Sequence, residues 1–205
     1  SEMCIRDRFK TFTLLAALDE GYSPETNLNC TSKVKIGNWD VANYGNANYG
    51  TRSIESAFAV SSNTGFAELC TEIGPDKVAD MAHKCGIESD LESVPSITLG
   101  VEEVSVLEMA QAYATIANGG TLHKANCIEE IKDSSGQVIY HADTRGDKVL
   151  NTDLTQAAVE VMEGVVQKGT GRNAALYNGQ PVGGKTGTSE DYRDKWFCDI
   201  TPQIS

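Results

Sequence analysis

No run of lysine and arginine interrupts this 205-residue sequence, no apolar stretch is long enough to cross a bilayer, and no C-x-x-C pair occurs. Each absence removes a class of function. The formal net charge of -12 argues against a nucleic-acid partner, because a phosphate backbone needs clustered cations. Apolar runs such as residues 14–18 fall far short of the roughly 20 residues of a spanning helix. No basic segment followed by an apolar one marks a secretory signal. The six cysteines (Cys4, Cys30, Cys70, Cys85, Cys127, Cys198) and three histidines (His83, His123, His141) lack metal-ligand spacing. Most of the thiols read as packed side chains and the imidazoles as surface groups. Cys70 and Cys85, each ending a helical stretch, could meet as a disulfide. What remains, 40% hydrophobic and 22% charged, is a chain able to bury a real core, as one domain or one and a piece of another.

The pattern along the chain predicts an α/β (α+β) protein. A helix is expected from about Phe9 to Glu20, closed by Gly21. The stretch from Asn27 to Gly50, rich in Asn, Gly and Tyr, reads as turns and irregular loop. Ser53 caps a short helix, "SSN" interrupts, and further helices are expected over Thr64–Ile73 and from Pro75 to about Gly86. Ser105 and Glu108 form a capping box for "VSVLEMAQAYATIAN", which Gly119 and Gly120 end. "CIEEIKDSSGQVIYHA" reads as a hairpin. Thr152 or Asp153 is expected to cap "LTQAAVEVMEGVVQ". "PVGGKTGT" and "KWFCDIT" read as two strands joined by "SEDYRD", a sheet only partly present.

Three short motifs carry possible chemistry. Gly179 to Thr186 formally matches G-x-x-x-x-G-K-[ST], the phosphate-cradling loop. That motif needs a buried strand before it and a helix N-terminus after it. Here Pro181 removes an amide, and "TSEDYRDKWF" has no helical period, so the phosphate reading fails on context. Read instead as a strand, Lys185-Thr186-Gly187-Thr188 sets an ammonium beside hydroxyls, donors suited to a carboxylate, and Gly187 lets a substrate backbone lie close. Ser61 and Asn63 stand two apart in a break between helices. Lys10 lies one turn into the first helix. Taken singly, each is an ordinary solvated lysine, turn or strand edge.

Their order along the chain is more specific. A helix lysine, then Ser-x-Asn, then Lys-Thr-Gly on a late strand resembles the penicillin-binding proteins and related serine β-lactamases. "ITLGVEEVSVLEMAQAYATIANGG", "VVQKGTGRNAAL" and "PVGGKTGTSEDYRDKWF" resemble segments of the transpeptidase domains of class A, bifunctional penicillin-binding proteins. The resemblance runs from Phe9 to the C-terminus. It implies the family's fold, an antiparallel sheet with a helical subdomain, here with an incomplete sheet. It implies peptidoglycan stem peptides and β-lactams as partners, and neither metal nor cofactor. By the same resemblance, Lys10 is the general base, Ser61 relays a proton, and Asn63 holds the substrate amide and Lys10. Lys185, Thr186, Gly187 and Thr188 form the carboxylate-binding strand, with the Thr188 N–H in the oxyanion hole. A parent protein anchored at the outer face of a bacterial membrane and joined to a glycosyltransferase domain is implied as well. A serine β-lactamase or a β-lactam-binding sensor is the alternative reading.

One member of the set is missing. The family's nucleophilic serine stands three residues before the helix lysine, and three before Lys10 is Asp7. The residues around it, "SEMCIRDR", are polar and aperiodic. Residues 3–7 resemble the translation of a transposon end used to build sequencing libraries. Residues 1–8 are therefore expected to be a non-native lead, and residues 9–205 a partial transpeptidase domain without its nucleophile.

Overall fold

The computed structural model describes residues 2–4, 7–100, 103–188 and 195–201. At its centre is helix α1 (Lys10–Asp19), buried at every position from Lys10 to Ala17. A helix apolar on all sides belongs inside a protein, and "FKTFTLLAAL" has little else to offer. Phe9, Phe12, Leu14 and Leu15 are fully enclosed, and the Phe9 and Phe12 rings meet edge-on at 4.7 Å. The buried threonines are satisfied: Thr13 donates to Thr98 at 2.8 Å, and Thr11 shares a 2.7 Å hydrogen bond with the Tyr113 hydroxyl.

Short strand β1 (Glu2–Cys4) precedes α1. The region expected to be irregular loop instead holds strands β2 (Asn27–Asn29), β3 (Lys33–Ile36) and β4 (Trp39–Ala42), followed by β5 (Thr51–Ser53). β2 pairs with β5, and β3 with β4. The reason is a two-residue turn at Gly37-Asn38, between the paired Ile36 and Trp39. Gly37 adopts φ +59, which such hairpin turns demand and glycine supplies without strain.

Helices α2 (Ile54–Ala59), α3 (Asn63–Ile73) and α4 (Pro75–Lys84) follow, starting at Ser53, Ser62 and Gly74 as caps. Strand β6 (Glu103–Ser105) pairs with β1 and leads into α5 (Val106–Ala117) through the expected Ser105–Glu108 capping box. Glu108 also accepts from Ser89 and from the Glu88 N–H. Burial raises its carboxyl, but these hydrogen bonds outweigh it and bring the pKa down to about 2. β7 (Thr121–Leu122), the exposed hairpin β8 (Glu130–Lys132) and β9 (Val138–His141), and β10 (Asp147–Lys148) lead to α6 (Thr152–Gln167). Its cap is Asn151, whose side chain accepts from the Asp153 N–H, rather than Thr152 or Asp153.

Strands β11 (Gly183–Thr188) and β12 (Lys195–Ile200) form an antiparallel pair, with Lys185 opposite Cys198 and Thr186 opposite Phe197. β11 packs on α6 and β12 on α5, while α3, α4 and α6 surround α1. These are the two strands expected; their connecting turn, residues 189–194, lies outside the described residues. The proposed Cys70–Cys85 disulfide is absent. Both are free thiols, fully enclosed in the apolar core, and burial pushes each up to about 12. Among the described residues no helix is long and apolar enough to cross a membrane.

Candidate functional site

The N-terminus of α1, the break between α2 and α3, and strand β11 converge on one point. The Lys10 ammonium is completely buried. It donates to the Asp7 carboxylate, to Asn63 Oδ1 at 2.7 Å, and to Ser61 Oγ at 3.3 Å. Lys185, also fully buried, donates to Ser61 Oγ at 2.8 Å and to the Thr186 carbonyl at 2.9 Å. Ser61 Oγ thus stands between two ammonium groups drawn from residues far apart in sequence. Burial first and the Lys10 charge second bring the Lys185 pKa down to about 7, with the Asp7 carboxylate working the other way. The Lys185 Nζ lies over the Phe58 ring, 5.7 Å from the ring centre.

Local structure explains how Ser61 is presented. Helix α2 ends with the Ser61 N–H bonded to the Phe58 carbonyl and the Ser62 N–H bonded to the Ala57 carbonyl. These two bonds define a Schellman closure, whose left-handed residue is usually glycine. Here that residue is Ser61, at φ +56. A side chain in this conformation costs roughly 1–2 kcal/mol, and it throws the hydroxyl out of the helix axis toward both lysines. Asp7 is likewise left-handed, at φ +54, and its N–H is bonded to the Leu99 carbonyl.

A residue the sequence reading passed over organises the Ser61–Asn63 loop. Asn43, only 3% exposed, follows β4. Its Oδ1 accepts from the Asn63 N–H at 2.8 Å and the Thr64 N–H at 3.1 Å, with the Ser62 and Thr64 hydroxyls each at 3.2 Å. Its Nδ2 donates to the carbonyls of Cys30, Thr31 and Ala47. Asn63 Nδ2 in turn donates to the Ala42 carbonyl at 2.9 Å, which leaves Asn63 Oδ1 for Lys10. A buried, many-sided asparagine after a strand would be the available signal, but its partners lie on other segments.

The structure therefore brings together Lys10, Ser61, Asn63 and Lys185, with Asp7 joined to Lys10. Thr186 lies on the same strand, half-buried, its hydroxyl 2.6 Å from that of Thr170. Gly187 is buried opposite Trp196. The Thr188 side chain lies outside the described residues. In the supposed phosphate loop, Gly184, Lys185 and Thr186 belong to strand β11, which runs on to Thr188, so among the described residues no helix starts directly after Lys185-Thr186. Two ammonium groups sharing one hydroxyl, next to a strand with a further hydroxyl, can hold an anion and move a proton.

A family profile described as "Penicillin binding protein transpeptidase domain" matches residues 8–203. Penicillin-binding protein 1A of Rickettsia typhi is 32% identical over 224 residues, covering 95% of this chain and 28% of the relative. The protein of that name from Aquifex aeolicus is 32% identical over 200 residues, covering 95% and 27%. The chain thus spans little more than a quarter of these relatives. Among solved structures, the PonA1 protein from Mycobacterium tuberculosis in complex with penicillin V superposes with a TM-score of 0.89 at 27% identity, covering 98% of this chain and 58% of that one. The D,D-transpeptidase domain of a peptidoglycan glycosyltransferase from Eggerthella lenta gives 0.85 at 27% identity, with 98% and 58% coverage.

Proposed function

Since this chain belongs to the penicillin-binding-protein transpeptidase family and has its fold, we propose that its site serves D,D-transpeptidation through a serine ester in the parent protein. The parent carries serine where Asp7 stands. Lys10 takes the serine proton as Oγ attacks the penultimate D-Ala carbonyl of a stem peptide. The C–N bond to the terminal D-Ala breaks, and the leaving nitrogen takes a proton through Ser61. The amine of a second stem then attacks the ester; a new C–N bond forms as the C–O bond to serine breaks, and the serine oxygen takes up the proton that the amine loses. β-Lactams acylate the same oxygen.

The observation that carries this reading is Ser61 Oγ held between Lys10 and Lys185. A hydroxyl has two lone pairs and one proton. With both lone pairs receiving from ammonium groups, the Ser61 proton is left for a third partner, the role a leaving amine requires. Lys185, Thr186, Gly187 and Thr188 then take the terminal carboxylate, and the Thr188 N–H lies in the oxyanion hole.

The chain as it stands is inactive in this reading. Asp7 supplies a carboxylate in place of the hydroxyl, and a Lys10 ammonium donating to that carboxylate has no free pair to accept a proton. Residues 1–8 are read as a non-native lead; the family match begins at the last of them, Arg8, and Glu2–Cys4 pair with β6. The parent is a class A synthase at the outer face of a bacterial membrane, with an anchor and a glycosyltransferase domain. A test is to incubate Asp7→Ser chain with a pentapeptide ending in D-Ala-D-Ala and an amine acceptor. Release of D-Ala with incorporation of the acceptor is expected, against none for the unaltered chain. Rapid turnover of penicillin instead would assign a β-lactamase.

A further inference from the structure

Helix α6 is followed by Lys168-Gly169-Thr170-Gly171, a stretch to which the transpeptidase reading gives no task. The Thr170 N–H donates to the carbonyl of Ala59 at 3.0 Å, the last residue of α2 and two before Ser61. On the other side, the Thr170 and Thr186 hydroxyls are 2.6 Å apart. Thr170 therefore links the helix that presents Ser61 to the strand that presents Lys185. The flanking glycines explain how it gets there. A Cβ on Gly169 would lie 2.3 Å from the Ala59 carbonyl oxygen, and one on Gly171 would lie 3.1 Å from Val165 and 3.2 Å from Phe197. Phe197 is the cross-strand neighbour of Thr186. A side chain at residue 169 would collide with the α2 backbone, and one at residue 171 would press on Val165 and Phe197, so the two glycines ease the seating of the Thr170 hydroxyl against the strand. Thr170 is itself exposed, so the hydroxyl pair faces the solvent side of the site.

We propose that Thr170 is a positioning residue for carboxylate recognition: its hydroxyl donates to Thr186 and so turns the Thr186 proton toward the substrate anion. The inference rests on the transpeptidase reading of the site. Each hydroxyl has one proton. If Thr186 donated to Thr170, only Thr186 lone pairs would face a carboxylate, which repels them. If Thr170 donates, Thr186 keeps its proton for the anion, and its oxygen, already accepting a hydrogen bond, becomes the stronger donor. A bound carboxylate selects the second arrangement. A loop tie with no part in recognition would be indifferent to the direction.

The two cases separate by ligand charge. Acetyl-D-Ala-D-Ala and its C-terminal carboxamide are titrated by NMR, without covalent chemistry, into the unaltered chain, Thr170→Ser and Thr170→Val. The unaltered chain and Thr170→Ser should both prefer the carboxylate. Thr170→Val, which keeps the shape and loses the hydroxyl, should lower that preference about 2- to 4-fold, the share that cooperative strengthening adds to one hydrogen bond to a charged group, and leave carboxamide affinity unchanged. An undiminished preference in Thr170→Val, or an equal loss for both peptides, would overturn the proposal while leaving the site reading intact. No preference for the carboxylate in the unaltered chain would instead overturn the site reading, and this proposal with it.

Discussion

Replacing Asn43 by alanine should remove a large share of the fold's stability although no apolar core residue is touched. Four donors reach its Oδ1 and three carbonyls face its Nδ2. An amide oxygen has two lone pairs and the NH₂ group two protons, so at most four of these seven contacts count at once. At about 1 kcal/mol net for each, the loss is about 4 kcal/mol. It rises further where a buried group finds no water to replace its partner. Folded domains are stable by about 5–15 kcal/mol, so the variant should sit near its limit. Urea unfolding followed by circular dichroism measures this, because a fall in the midpoint at unchanged slope reports stability alone. The same change frees the first turn of α3 and so loosens Asn63 against Lys10. A loss below about 1 kcal/mol would show that water or relaxation replaces the network, and that Asn43 does not hold the Ser61–Asn63 loop.

Other perturbations have defined signs. The Lys185 ammonium persists in the unfolded chain to about pH 10.5 but gives up its proton near pH 7 when folded. Between these values the unfolded state holds the extra proton, so stability should rise with pH by at most about 1.4 kcal/mol per unit. Lys185→Met should flatten that rise, and an unchanged slope would refute the burial argument. Glu108 has its pKa lowered to about 2, so its contribution is fully present above its ordinary value of 4.5 and lost as pH falls toward 2. Glu108→Gln should reduce the acid sensitivity of unfolding over that window, and identical acid profiles would count against it. Gly169→Ala sets a methyl against the Ala59 backbone and should lower stability by roughly 1–3 kcal/mol. An unaltered melting temperature would mean the loop yields easily.

Helix ends were the most legible part of this sequence. Ser53, the Ser105–Glu108 box and Pro75 announce their helices through side chains that act within three or four residues. Lys10, Ser61, Asn63 and Lys185 could be named because their order along the chain resembles the motif set of a known family, and they meet in the structure, although their chemical roles are a proposal. What stayed hidden depends on contacts between distant segments. Asn43 reads as one of many asparagines in a Gly- and Asn-rich stretch until Cys30, Thr31, Asn63 and Thr64 surround it. The Gly37-Asn38 turn was visible in principle, but the surrounding turn-forming residues masked the short strands on either side. Thr170 is an exposed threonine between glycines until the Thr186 hydroxyl is found beside it. Ser61 in a position that favours glycine is a backbone fact that residue identity works against.

The central claim is that residue 7 is where an acyl group forms and that Asp7 alone silences the site. Intact-mass spectrometry after incubation with penicillin tests it, using the unaltered chain and Asp7→Ser, each first shown to be folded by circular dichroism. The account predicts no adduct on the unaltered chain. It predicts one penicillin mass on Asp7→Ser, mapped by peptide digestion to residue 7 and lost again when Lys10 is changed to alanine. A stable adduct on the unaltered chain, at Ser61 or elsewhere, or a folded Asp7→Ser chain that takes up no penicillin, would contradict it.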